Sequence, residues 1–505
     1  MHLAANPGSV PGRRAHVLLA MSVMLENLLK FRESGQVQRR LLIPVAFILF
    51  SANLAFQYPG SWMPDSIITY NEAVSGHYSD WQPPIMAWLW SLVRRLVDGT
   101  PGMLVLQLGF HWLGFALIAD GLMRAGKHRS AWLVLFSGAF PVFLFYNGIV
   151  LKDVGMASAL VTAFGLAFRY RIVGQPISRP ALCVAALLLA YGTLVRINAI
   201  FAFGPLLIYM LPGRARLMGI KVLFILTVVL AGLALSLSSF INHDLLGARS
   251  SGAIQSLQLF DLNGIAYHTS DPTVLPAQMA FSAADLTQCY TPYWWDTLSP
   301  WGTCGFAWRR LGPDDSPARN ALGHRWLVQI AAHPVAYLQH RLKVFNSILY
   351  FLVPAKHCRY APGCGFVYAK DGTRSFPPVT QRDIRVDYLK KNFITWPVTW
   401  LVVGLMFLWL STQIPHQETA AAARALLLSG LSYLAFMLPI GVATDIRYAY
   451  WTIMAVLLAV LICLDEARKV FSWRDKRCVA GVALLLLTIV AGLLARVANF
   501  TAFVT

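Results

Sequence analysis

Long apolar runs separated by short loops rich in Lys and Arg constrain this chain more than any other feature. A helix needs about 20 apolar residues to cross a bilayer. Inside lipid every backbone N–H and C=O must be satisfied within the chain, so only helices and closed barrels span it. The runs predict about eleven spans: Leu41–Phe56, Met103–Met123, Ala131–Tyr146, Val154–Phe168, Leu182–Val195, Ala199–Leu211, Val222–Phe240, Ile394–Leu410, Ala423–Gly441, Tyr450–Leu464 and Val479–Leu494. Composition agrees, with 57% hydrophobic and only 13% charged residues, against roughly 25% charged in soluble domains. The expected fold class is an all-α polytopic membrane bundle.

The net charge of +19 would suit a nucleic-acid binder, but the basic residues sit in short clusters between apolar runs. That is how cytoplasmic loops are marked, so nucleic acid is set aside as a partner. Placing the N-terminus inside puts Arg124, Lys127 and Arg129, then Arg169, Arg171 and Arg179, then Arg214, Arg216 and Lys221 inside as well. The long region from Asn242 then falls outside. The apolar stretch Val344–Val353 is too short to span, and a crossing there would put Arg468, Lys469, Arg474, Lys476 and Arg477 outside. It is expected to be interfacial or re-entrant, and Pro84–Val97 to be an amphipathic surface segment. Four parts follow: a cytoplasmic lead-in over 1–40 with a short surface helix from His16 to Lys30; a transmembrane module over 41–241 whose first outer loop covers 57–100; an exoplasmic region over 242–392; and C-terminal helices over 393–505. No small-residue cleavage site follows the first apolar run, so no cleaved signal is expected.

Cysteine placement bears on the same topology. Cys289, Cys304, Cys358 and Cys364 all fall in the loops placed outside, where disulfides persist. Local pairs Cys289–Cys304 and Cys358–Cys364 are expected, with free buried thiols as the alternative.

Chemistry concentrates at the outer ends of the spans. The first outer loop reads Pro64-Asp65-Ser66, then Tyr70-Asn71-Glu72-Ala73, then Gly76-His77-Tyr78-Ser79-Asp80-Trp81-Gln82-Pro83-Pro84. This segment resembles the first loop of GT-C glycosyltransferases, polytopic enzymes that use polyprenyl-phosphate sugars. Members of the protein O-mannosyltransferase and aminoarabinose transferase type carry an acidic residue here, with a Pro-Pro pair shortly after. Gln82 stands where that pair is often preceded by His or Lys. The resemblance is clearest over the first 200 or so residues. It implies a GT-C-like bundle and a sugar donor presented on polyprenyl phosphate at the outer face, with Asp65 as the base that takes the acceptor proton. The same Asp also suits a helix N-cap.

The turn Tyr146–Asp153 holds Lys152 and Asp153. The resemblance implies a second acidic residue there, for which Asp153 is the match; capping and headgroup snorkelling are the alternatives. Arg196 and Arg447 stand at further outer span ends, where charge is costly and often functional, and a guanidinium suits a phosphate. Lys152, Arg196 and Arg447 are the candidate donor-phosphate ligands. Glu72, Asp80, Gln82, His268 and Tyr448 are candidate substrate contacts, Glu72 and Asp80 otherwise being solvated loop charges. His111 and Asp120 are read as packing or inner-edge residues. Neither a metal-ligand spacing, a Walker motif nor G-x-G-x-x-G occurs; a divalent cation stays open as cofactor. The implied localisation is a bacterial inner membrane with a periplasmic site, acting in the cell envelope on a lipid such as lipid A, a glycan or a protein. Rival readings are a lipid or oligosaccharide flippase or transporter, and an O-antigen-type ligase or polymerase.

Overall fold

The computed structural model describes residues 37–212, 220–313, 316–355 and 392–502. Among them every regular element is a helix, and β pairing is limited to three isolated bridges. Seven helices are long and apolar enough to cross a membrane: Val37–Gln57, Pro101–Arg124, His128–Tyr146, Ile225–Leu245, Gln417–Ile440, Ile446–Val470 and Lys476–Val497. The chain is thus a multi-pass helical membrane protein. The other four expected spans also fall on helices, but they do not meet both requirements. Arg179–Val195, Ile197–Met210 and Pro397–Leu410 are short, and Lys152–Arg171 is long enough but less apolar.

Burial explains that lower apolarity. Nearly every residue of Lys152–Arg171 is covered by its neighbours, so protein rather than lipid is its solvent. It packs closely on Pro101–Arg124 at Gly114, where a Cβ would lie 2.7 Å from Val161 Cγ1. Small residues let membrane helices approach in this way. By contrast, Val37–Gln57, Ile225–Leu245 and Lys476–Val497 leave most of their apolar side chains uncovered, as lipid-facing helices do.

The two ends of the bundle differ in their charges. At one end Asp120 receives Arg39 at 2.8 Å, Arg124 at 2.8 Å and Arg169 at 2.6 Å, and Lys127 meets Glu466 at 3.3 Å. Arg169 closes the helix that Lys152 and Asp153 open, so those two lie at the other end, ~24 Å away at 1.5 Å per residue.

Two expectations change. The first residues of Val344–Val353 complete the longer helix Pro334–Leu349, which stops at Tyr350 in a left-handed conformation. The apolar run was the end of a helix whose preceding turn holds the buried His340 and Arg341. The amphipathic segment at 84 is a helix only over Pro84–Val93. The expected surface helix His16–Lys30, Cys358 and Cys364 lie outside the described residues.

Candidate active site

Helix Pro64–Ser75 carries Asp65 in its first turn. Proline at the first helical position has the right φ and needs no hydrogen bond, and the helix stops at Gly76 (φ 71°), whose N–H donates to Glu72 O at 2.9 Å. Ser66 Oγ donates to Val150 O at 2.6 Å, and Ser61 N to Gly148 O at 2.7 Å. These bonds lock the Asp65 helix onto the turn that delivers Lys152 and Asp153. The helix N-cap is Met63, which leaves the Asp65 carboxylate for another partner.

That partner comes from 382 residues further along the chain. Arg447 Nη1 donates to Asp65 Oδ2 at 2.6 Å, while its Nε faces Asp445 Oδ2 at 3.3 Å. Asp445 is itself fixed: it accepts from Arg447 N at 3.0 Å, capping the short helix Ile446–Ala449, and from Tyr146 OH at 2.7 Å. Arg196 stands where helix Arg179–Val195 breaks into extended backbone. It forms an ion pair with Asp153 at 2.9 Å and donates to Tyr433 OH at 3.1 Å. Tyr448 lies between the two guanidiniums, its ring centroid 5.0 Å from Arg196 Cζ and 5.2 Å from Arg447 Cζ. Lys152 Nζ donates to Gln82 Oε1 at 2.9 Å.

The structure thus gathers Asp65, Gln82, Lys152, Asp153, Arg196, Arg447 and Tyr448 in one cluster. With Asp445, which pairs with Arg447, three cations face three carboxylates, so the cluster is close to neutral by itself. It is covered but reachable: the side chains of Asp65 and Arg447 keep 24% and 9% of their exposure. Asp153 is fully buried, and neither of its oxygens has a well-aligned hydrogen-bond donor. Burial raises the Asp65 pKa, but Arg447 and Lys152 outweigh it and hold the carboxyl well below the usual range. Among the described residues no group of three or more His, Cys, Asp or Glu side chains is placed to hold a metal ion.

Three expected substrate contacts lie elsewhere. Glu72 Oε1 accepts from Ser79 N at 3.1 Å and Ser79 Oγ at 2.6 Å, closing its own loop. Asp80 accepts from Ser251 N at 2.6 Å and from Ser251 Oγ, which pins the first outer loop to the segment after Ile225–Leu245. His268 belongs to a second network. There Asp261 receives Trp326 Nε1 at 2.8 Å, His340 Nε2 at 3.4 Å and Arg341 Nη2. Arg341 Nη1 also donates to Gly441 O at 2.7 Å, and Tyr290 OH joins His340 Nδ1 at 3.2 Å and His268 Nε2 at 3.4 Å. Burial pushes His268 down to about 4, keeping it neutral near pH 7. Cys289 and Cys304 form a disulfide with a Cα–Cα separation of 5.8 Å.

Residues that the sequence reading did not place at the site are Tyr433, Tyr146 and Asp296. Asp296 senses the charges of Asp65 and Arg447, and burial followed by the Asp65 charge raises its pKa. The signal available in the sequence was a carboxylate inside Trp294-Trp295-Asp296 with Trp301 close behind. None of the protein-family models, curated proteins or solved structures compared with the chain matches it.

Proposed function

We propose that this protein is a membrane glycosyltransferase that moves a sugar from a polyprenyl-phosphate donor to an acceptor hydroxyl at the outer face of the membrane. One observation carries the reading: a carboxylate and three cations from distant stretches meet at the end of the bundle opposite the Asp120 arginine cluster. A lipid-linked sugar keeps its phosphate at this depth. Charges gathered at span ends rather than mid-membrane favour transfer over transport. The arginine cluster at the other end fits a cytoplasmic face, with the N-terminus inside and all eleven helices taken as crossing a bacterial inner membrane.

Without substrate, Arg447 is neutralised by Asp65, and a carboxylate held so far below neutrality is a weak base. A donor phosphate arriving at Arg447, Lys152 and Arg196 competes for those cations and loosens the hold on Asp65. The freed carboxylate takes the proton of the acceptor hydroxyl. The acceptor oxygen bonds to the anomeric carbon as the carbon–oxygen bond to phosphate breaks. The electron pair leaves with the polyprenyl phosphate, whose charge the guanidiniums hold. Direct displacement inverts the anomeric centre. Asp153, with two unsatisfied buried oxygens, orients Arg196 and offers an acceptor for a sugar hydroxyl. The test is a transfer assay with purified protein, labelled polyprenyl-phosphate sugars and candidate lipid, glycan and protein acceptors. Turnover that collapses in Asp65→Asn supports the reading; transport of labelled lipid in liposomes with no sugar transfer removes it.

A further inference from the structure

Beside this cluster stands an aromatic platform that the mechanism does not use. Trp81 directly precedes Gln82 and so sits next to the Lys152 contact. Its ring centroid lies 5.6 Å from that of Trp295 and 6.0 Å from that of Trp301, and Trp295 and Trp301 are 5.8 Å apart. Trp295 is the floor, at 4% exposure, while Trp301 keeps 63%. Asp296 accepts from Trp301 Nε1 at 3.2 Å, and among the described residues no cation pairs with it.

The loop that presents these groups is braced. The disulfide Cys289–Cys304 closes it. Thr297 Oγ1 donates to Cys289 O at 2.8 Å, and Cys304 N to Thr297 O at 2.8 Å. Gly302 packs so tightly that a Cβ would lie 1.9 Å from Asp296 O. Trp295 N donates to Val442 O at 2.8 Å, and Trp294 bridges Ala443. The loop is therefore registered on the backbone just ahead of Asp445 and Arg447, and its geometry is set before any ligand arrives.

We infer that Trp301, Trp81 and Asp296 form a subsite for a sugar ring of the acceptor, placed beside Asp65 and Arg447. A sugar ring has an apolar C–H face that lies on an indole and hydroxyls that donate to a carboxylate. A fixed aromatic face with one carboxyl acceptor matches both. A bound ammonium would need several ring faces converging on it. Here Trp301 meets Trp81 at 89° and Trp295 at 78°; the rings pack on one another instead of lining a cage, and Trp301 keeps 63% of its exposure. The inference rests on the glycosyl-transfer reading for its role and narrows the acceptor to a saccharide, but binding is measurable without any donor.

The experiment titrates the purified, detergent-solubilised full chain with methyl hexosides, methyl pentosides and short oligosaccharides, followed by tryptophan fluorescence and calorimetry, with tetramethylammonium as the competing probe. We expect at least one saccharide to bind. Trp301→Ala should weaken it roughly tenfold, Trp301→Phe should keep part of the affinity as one aromatic contact permits, and Asp296→Asn should weaken it several-fold. Saccharide binding indifferent to Trp301→Ala and Asp296→Asn, no binding across the panel, or binding of tetramethylammonium alone would overturn the subsite. Bound saccharide without any transfer would overturn the glycosyl-transfer reading and leave the subsite standing.

Discussion

Two networks of buried charge are built from the same parts in this protein and finished differently. Around Asp261, the side chains of Asp261, His340 and Arg341 keep at most 2% of their exposure, and Trp326, Tyr290 and Gly441 O each bond to one of the three. In the other network Asp65 and Arg447 keep 24% and 9% of their exposure, and the cations neutralise their own carboxylates in the absence of anything else. The sealed network holds elements together: it ties helices Ala253–Thr269 and Pro334–Leu349 to the segment that leads into Arg447. The open one sits where a ligand can compete for its charges. Exposure, rather than the residue types, separates a site from a clamp.

The largest effect should come from breaking the clamp. Arg341→Ala strands the buried Asp261 carboxylate, and loss of one partner of a buried pair costs about 3–5 kcal/mol. A large fall in the thermal midpoint of the solubilised protein is expected. The double variant Asp261→Asn, Arg341→Met removes both charges and should recover much of the loss. If Arg341→Ala melts like wild type, the sealed network is no clamp. Gly264 belongs to the same argument: a Cβ there would lie 2.2 Å from the His340 ring, so Gly264→Ala should behave like Arg341→Ala in milder form.

Asp65→Asn should show the opposite profile. Loss of a positioned base typically lowers turnover by about 10²–10⁴-fold. The pair it leaves is partly exposed and Arg447 keeps Asp445, so the thermal midpoint should move little. A variant that loses stability and activity together would put Asp65 in the clamp class.

How much of this was legible follows from the chemistry of single positions. Asp65, Lys152, Asp153, Arg196 and Arg447 stood out because each is a charge at the edge of an apolar run, where charge is costly. Their pairing was not legible, since the contact between Asp65 and Arg447 joins residues 382 apart and depends on packing. The serine partners of Asp80 and Glu72 were not legible, because a carboxylate reads alike in the sequence whether it binds substrate or a neighbouring serine. Val344–Val353 reads as a separate segment in the sequence because its apolar residues end a helix whose buried Arg341 pairs with Asp261 on another helix. Asp261 itself carried a signal, as a charge between Phe260 and Leu262 in an otherwise apolar stretch. The coarse fold, a helical membrane bundle, was legible from periodless apolar runs alone. The span count was not, because Lys152–Arg171 is buried in protein and short helices such as Pro397–Leu410 carry the same apolar character as long ones.

A smaller effect tests how the open cluster is tuned. Tyr433→Phe removes the hydroxyl that shares Arg196 with Asp153. One such hydrogen bond to a charged group contributes about 1.5–3 kcal/mol, and Arg196 keeps its ion pair, so transfer should fall by roughly tenfold to a hundredfold with little change in the thermal midpoint. The loss should appear in donor KM more than in acceptor KM; a loss confined to the acceptor would separate Arg196 from the phosphate.

The smallest effect sets two carboxylates of one helix against each other. Asp65 has its folded-state pKa depressed, burial being outweighed by Arg447 and Lys152. Its stabilising contribution is therefore fully present above the unfolded pKa and is lost only as pH falls through the depressed value. The stability difference between wild type and Asp65→Asn should stay flat from about pH 5 to 8 and shrink only in stronger acid. Glu72 is shifted the other way: burial raises its pKa despite the two Ser79 donors, and its Oε2 has no partner. A raised carboxyl pKa favours the folded state while the group is protonated, and that contribution is lost as pH rises from the unfolded value through the folded one. Glu72→Gln, which keeps an oxygen for Ser79, should thus gain on wild type as pH rises from about 4.5 towards neutrality. Thermal midpoints of the three proteins across that range read both slopes at once. Parallel curves for wild type and Glu72→Gln would mean that Glu72 is solvated after all, and a gap between wild type and Asp65→Asn that grows with pH near neutrality would mean that Arg447 does not hold Asp65 ionised.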